Sequence, residues 1–310
     1  MLFRSGVVLI GLVIPFCPAR TGPDFGGEAM KRLFFKDQHG IGDERMFWFQ
    51  VASLAQWQPG KDMPSHSYAE TGRGYKRLDT AFTKVHGSVG YRGYFAGPKV
   101  HIIDYYALAD PLLARLPAKY APNWRIGHFT REIPDGYEAC AAGGPDTLKD
   151  PQLAQYFDTL SLIARGPIWS PERWKAILRM NLGKCDDLID WDRYRFPNIK
   201  KLSLEDLQSQ TAPPIPANGV SIEFGAPRHE PNIELSLSGN GDFRILIMSG
   251  AKETAAFDAT PATKQSGPLF YAFQVPDTTA KTGYTALRII PFRSDKKARY
   301  TLGQLTLKNE

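Results

Sequence analysis

No apolar run in this sequence is long enough to cross a bilayer as a helix. The longest, Gly6 to Phe16 in MLFRSGVVLIGLVIPFCPAR, has 11 residues, against the roughly 20 that a spanning helix needs. Preceded by Arg4, it suits the core of a signal peptide, although no small-x-small cleavage site succeeds it and IPFC is a poor lipoprotein box. It equally suits the tail of a membrane helix that starts upstream. Each reading places the rest of the chain outside the cytoplasm, at the periplasmic or extracellular face of the membrane, anchored or secreted through this segment.

Cysteine is scarce, with three residues. Cys17 borders the apolar run, which leaves Cys140 and Cys185 as a candidate disulfide in an oxidising compartment, or as two unrelated buried thiols. None of the six histidines (His39, His66, His86, His101, His128, His229) pairs with another at ligand spacing, and no cysteine lies near enough to complete a zinc set. Loop acids such as Asp242 and Glu223 lie in no Asp-rich calcium loop. GxSxG and glycine-rich phosphate loops are missing, and so are internal repeats and low-complexity tracts. No metal or cofactor is expected. The formal charge of +6 comes from scattered Lys and Arg, with no dense run longer than RSDKKAR. That excludes an obvious nucleic-acid groove and favours a solvated basic surface facing phosphate or anionic lipid.

What the chain does have is material for cores: 43% of its 310 residues are hydrophobic. Residues 1–27 are the apolar segment and a glycine-rich connector. Residues 28–210 mix helix and strand signals: a helix with an aromatic face around Phe47 to Leu54, a polar loop from Pro59 to Arg77, and strand character from Val85 to Ile103, clearest in KVHIID. Asp110, Asp150 and Ser170 each precede a proline and an apolar periodic run, the grammar of a helix start. SLEDLQSQ offers one more short helix. TAPPIPANG, 211–219, reads as a proline-rich linker. From 220 to 310 apolar residues alternate in short runs, with NGD at Asn240 to Asp242 as a tight-hairpin signal. The expectation is an α+β chain: a mixed α/β domain followed by an antiparallel β-sandwich.

Two stretches carry candidate chemistry. HIIDYYALADPLLARLP offers Asp104 and Asp110 as a pair of carboxylates for sugar chemistry. Capping accounts for Asp110, whereas Asp104 either accepts backbone hydrogen bonds at the end of a strand or awaits a cationic partner. WRIGHFTREIPDGY places Arg125, His128 and Arg131 among Trp124, Phe129 and Tyr137, a mixture suited to a phosphorylated or acidic glycan. Guanidinium groups hold anions by paired hydrogen bonds and rings stack on sugar faces. A structural network tying the same arginines to Asp104 or Asp110 is the plainer alternative.

Taken in order, GIGDERMFWF, GYFAGPKVHIIDYYALADPLLARLP, WRIGHFTREIPDGY and LRMNLGKCDDLID resemble the C-terminal extracytoplasmic region of a family of bacterial polytopic membrane glycosyltransferases, whose best known relatives are the mycobacterial terminal β-1,2-arabinofuranosyltransferases. The resemblance covers roughly residues 38 to 195. It implies an inverting transferase that uses a polyprenyl-phosphate-linked sugar and extends a cell-envelope glycan. That family has many membrane helices where this chain has one short apolar run, so no catalytic residue is carried over. It implies a surface for binding and positioning the acceptor, formed by Asp43, Arg45, Asp104, Arg125, His128, Arg131 and Tyr137. The terminal sandwich would serve as a carbohydrate-binding module, with Phe270, Tyr271 or Tyr284 as platform. A secreted glycan hydrolase using Asp104, or a non-catalytic envelope scaffold, are the rival expectations.

Overall fold

The computed structural model describes residues 44–53, 57–60, 63–121, 124–143, 147–209, 212–238, 241–261, 267–292 and 300–309. Helices and sheets share the chain, an α+β architecture organised as two compact units. The first holds, of the described residues, 44–82, 88–100 and 125–128; the second holds 83–87, 101–124 and 129–309.

In the first unit, α1 (Arg45–Ala52) turns the Trp48 ring toward His66, Tyr68 and Tyr91. The polar stretch expected to be a loop is largely a helix, α2 (Ser67–Leu78), capped by His66, whose Nδ1 accepts from the Tyr68 amide at 3.1 Å. Glycine-bearing VGYRGYFA, expected as strand, is α3 (Val89–Ala96). One glycine sits at the contact between these two helices. A Cβ on Gly72 would lie 2.5 Å from the Arg92 carbonyl oxygen and 2.9 Å from Phe95 Cβ, so this glycine lets α2 and α3 touch backbone to backbone.

A two-stranded sheet follows, β1 (Phe82–His86) and β2 (Val100–Asp104), whose residues 83–86 and 101–104 belong to the second unit; β2 is the expected KVHIID strand. Ile103 sits in a buried cluster with Leu112, Leu113, Tyr137, Leu153, Phe157 and Leu160. That core is closed by α4 (Tyr137–Cys140), α5 (Pro151–Arg165) and α6 (Pro171–Asn181). The last two start as their sequences predict: Asp150 accepts from the amides of Gln152 and Leu153, Ser170 from that of Arg173, and each first turn holds a proline. A short helix, α7 (Trp191–Arg195), then leads to β3 (Lys200–Ser203) and α8 (Leu204–Ser209).

The remaining strands are β4 (Pro214–Ile215), β5 (Val220–Arg228), β6 (Asn232–Ser238), β7 (Phe243–Ser249), β8 (Lys252–Ala259), β9 (Pro268–Gln274), β10 (Tyr284–Pro291) and β11 (Tyr300–Lys308). They form a five-stranded sheet in the order β3-β5-β10-β7-β8 and a four-stranded sheet in the order β4-β11-β6-β9. Both sheets feed one buried cluster, including Ile222, Phe243 and Leu287 from the first and Ile233, Leu237 and Leu302 from the second. Strand β8 and a helical turn, α9 (Asp277–Thr282), carry no apolar alternation or helical period strong enough to predict them.

Three features depart from the sequence reading. β3 pairs parallel with β5, Leu202 opposite Ile222, so residues on both sides of the proline-rich segment share one sheet, and β4 within that segment pairs with β11. NGD does not close a hairpin, because β6 and β7 belong to different sheets. Gly241 is needed there for another reason: a Cβ on it would lie 2.5 Å from the Tyr300 ring. The outer face of the five-stranded sheet is also covered. Leu246, Met248, Ala286 and Ile290 cluster with Phe196, Ile199 and Tyr120. Among the described residues no helix is long and apolar enough to cross a membrane.

Candidate functional site

Asp104 has found partners, and they are not the arginines. Its buried carboxylate accepts from the amides of Tyr106 (3.0 Å), Leu108 (2.8 Å) and Ala109 (3.2 Å), which shapes the turn after β2. Asp110 accepts from the amides of Leu112 and Leu113 and from the hydroxyl of buried Tyr137, at 2.9 Å. These amide bonds lead the chain into a single 3-10 turn, Leu113–Arg115, where a short helix was expected. Burial pushes the Asp110 carboxyl above its ordinary range despite these bonds. Burial likewise raises the Tyr137 hydroxyl, with the neighbouring Asp110 adding to the effect. His101 belongs to the same polar core; burial holds its imidazole below the ordinary value, with Asp110 partly opposing. Asp110 and Tyr137 are structural partners of one another, and Tyr137 is fully enclosed.

Arg131 is likewise turned inward, its guanidinium donating to the carbonyls of Leu116 and Phe129. In the first unit, Arg125 and His128 both approach the Glu44 carboxylate, at 3.3 and 3.5 Å. Asp43 and the Arg45 side chain lie outside the described residues. Cys140 and Cys185 are both buried in the same apolar cluster as separate thiols, not joined as a disulfide. Among the described residues no three His, Cys, Asp or Glu side chains converge where a metal could sit.

The second unit instead gathers a different set. A groove of about 790 Å³ runs between the 117–121 segment, α7 and the β7–β8 turn. Tyr120, Trp124, Phe129 and Trp191 line it, together with the cations Lys119, Arg195, Arg244 and Lys252 and one acid, Glu253. Trp124 and Phe129 stack at 5.7 Å and 26°, and Trp124 and Trp191 are 42% and 48% exposed, so part of each side chain faces solvent. Tyr120 is fixed from behind: its amide donates to the Arg195 carbonyl and its ring stacks on Phe196. Arg195 pairs with Glu253 at 2.8 Å and lies over the rings of Tyr120 and Phe196. Burial raises the Tyr120 hydroxyl, with the neighbouring Arg244 partly opposing. A second depression of about 470 Å³ shares Lys119, Tyr120, Ala121 and Arg195 with the first and continues toward Ile290 and Phe292.

Such a surface can stack pyranose or furanose faces on its rings; of its cations, Lys119, Arg195 and Arg244 are paired with Glu132, Glu253 and Asp258, so a carboxylate or phosphate would meet their remaining donors and Lys252. Of the residues expected to bind ligand, none lines the groove, but their neighbours Trp124 and Phe129 do. Lys119, Tyr120, Trp191 and Arg195 lie in stretches where aromatic and basic residues alternate in the same way, AKYA at 118–121 and WDRYRF at 191–196, whereas Arg244 and Lys252 lie in no such stretch. Of the expected platform aromatics, Phe270 is exposed on β9, Tyr271 stacks inward beside Phe273, and Tyr284 is buried with its hydroxyl donating to the Glu230 carbonyl.

Compared with known protein families, with curated proteins and with solved structures, the chain matches none.

Proposed function

We propose that the chain binds an acidic or phosphorylated cell-envelope glycan in this groove and positions it as the acceptor of a membrane glycosyltransferase that draws on a polyprenyl-phosphate-linked sugar. The carrying observation is the convergence of four aromatic rings and four cations on one concave surface. Exposed tryptophans present large, rigid, amphipathic faces, and arginines recognise anions in a fork geometry. The glycosyltransferase half of the reading rests on the sequence resemblance alone. The two sheets are read here as a β-sandwich of the carbohydrate-binding kind; the single core fed by both sheets supports this, as does exposed Phe270 on its edge strand. Hydrolysis through Asp104 has little to recommend it, since three backbone amides occupy that carboxylate.

The test is a glycan array and titration calorimetry with envelope arabinan, galactan and lipopolysaccharide fragments, neutral and phosphorylated. Binding to anionic fragments that weakens on Trp124→Ala and on Arg244→Ala is expected. Failure of every fragment to bind would overturn the proposal.

A further inference from the structure

Helix α6 has two apolar faces, and among the described residues only one is buried. Inward, Ala176 is buried, Met180 packs against the core, and Arg173 donates to the Ile163 carbonyl. Outward, Trp174, Leu178 and Leu182 follow one another at four-residue spacing and therefore form one line along the helix, about 12 Å long. All three are exposed, Leu182 by 68%, and Trp169 in the turn just before the helix is 83% exposed. Single exposed leucines are ordinary, but a continuous stripe with two tryptophans marks an interaction surface.

The border of the stripe indicates its occupant. Lys175 and Arg179, each one residue beyond a stripe member, are exposed and make no ion pair among the described residues. The only acid of the helix, Glu172, sits in its first turn, where the helix dipole favours it. A stripe of Trp and Leu flanked by Lys and Arg is the pattern of a helix lying in the plane of a membrane interface, with rings at headgroup depth and cations on anionic lipid. With 11 residues, α6 is too short to span a bilayer.

We propose that α6 is a membrane-surface docking element, its Trp169, Trp174, Leu178 and Leu182 edge seated on a lipid bilayer rich in anionic headgroups. The inference stands apart from the groove and neither needs the other. It is tested on the full chain by flotation with vesicles of phosphatidylcholine alone and of phosphatidylcholine mixed with phosphatidylglycerol, and by quenching of tryptophan fluorescence with brominated lipid. Because the apolar 6–16 run can itself hold the chain on vesicles, the readout is the difference between variants. Trp174→Glu with Leu178→Glu should lower vesicle partitioning about tenfold or more. Trp169→Phe with Trp174→Phe should remove the lipid-dependent quenching. Lys175→Glu with Arg179→Glu, a surface change that leaves the apolar residues intact, should abolish the preference for phosphatidylglycerol. Unchanged partitioning and quenching across these variants, with circular dichroism confirming their folds, would overturn the proposal. So would loss of self-association by the Trp174/Leu178 variant in the absence of lipid, which would assign the stripe to a second copy of the chain.

Discussion

Replacing Asp192 by alanine probes the joint that holds α7, and with it Trp191 and Arg195 of the groove, against the five-stranded sheet. Arg288 on β10 is only 3% exposed at its side chain, and its Nη2 donates to Asp192 Oδ2 at 3.0 Å within an ion pair whose closest approach, to Oδ1, is 2.8 Å. Its Nε reaches the Ser221 hydroxyl at 3.2 Å, and its guanidinium carbon lies 4.1 Å from the centre of the Phe196 ring. Removing the carboxylate strands a buried cation with one hydroxyl and one ring. Breaking a buried pair from one side costs about 3–5 kcal/mol. Asp192 is 24% exposed and also sees Lys201 at 3.9 Å, so water relieves part of the loss. The expected cost is therefore about 2–3 kcal/mol, which lowers the melting temperature by about 5–10 °C. Arg288→Met fills the same space with an apolar chain, so adding it to Asp192→Ala should restore most of the stability, giving a coupling of about 2 kcal/mol. Urea denaturation followed by tryptophan fluorescence measures all four corners of the cycle. A single variant within about 0.5 kcal/mol of wild type, or a double variant equal to the sum of the singles, would refute the reasoning.

Other outcomes follow from the same geometry. Trp124→Ala should weaken binding of an acidic glycan about tenfold, the loss of one stacking platform, with the melting temperature nearly unchanged; calorimetry reads both. The depressed imidazole of His101 means that the folded chain takes up a proton less readily than the unfolded one. Its contribution to stability is present above pH 6.5 and is lost as pH falls through the depressed folded value, so melting temperature should drop on acidification and His101→Gln should flatten that drop. The raised Asp110 carboxyl acts with the opposite sign. Its contribution is full below pH 3.8 and is lost as pH rises through the elevated folded value, and Asp110→Asn, which keeps a cap, should remove it. Gly72→Ala should destabilise the first unit by about 1–3 kcal/mol through the clash with Arg92 and Phe95. At Gly74 nothing lies nearer than 3.8 Å to an added Cβ, so Ala should stabilise by about 0.5–1 kcal/mol. Thermal melts separate the two.

Where local chemistry decides structure, the sequence was readable. Asp150 with Pro151 and Ser170 with Pro171 fix their helix starts by side-chain caps, and alternation marks β6, which has a face toward the core, while β10 reads as an apolar run because both of its faces are covered. Where a distant element decides, it was not. The glycines of α2 and α3 look like breakers until the neighbouring backbone that requires Gly72 is seen, and Gly241 looks like a hairpin turn until the Tyr300 ring is placed beside it. The site divides in the same way. Trp124 and Phe129 were visible as ring and cation interleaving, yet Arg125 and His128 belong with Glu44, while Tyr120, Trp191 and Lys252 come to the groove from segments up to about 130 residues apart, a pairing no local pattern encodes.

The parallel pairing of β3 with β5 bears on how this chain can be divided. A fragment cut at the proline-rich segment would lose β3, baring the β5 edge from Val220 to Glu223. The same cut removes Phe196, Ile199 and Tyr120, the cover over Leu246, Met248, Ala286 and Ile290. An open strand edge beside an uncovered apolar face is a template for edge-to-edge aggregation. A soluble fragment carrying these sheets must therefore begin upstream of Tyr120, and any rearrangement that shuffled them into another protein would have to carry α7 with them.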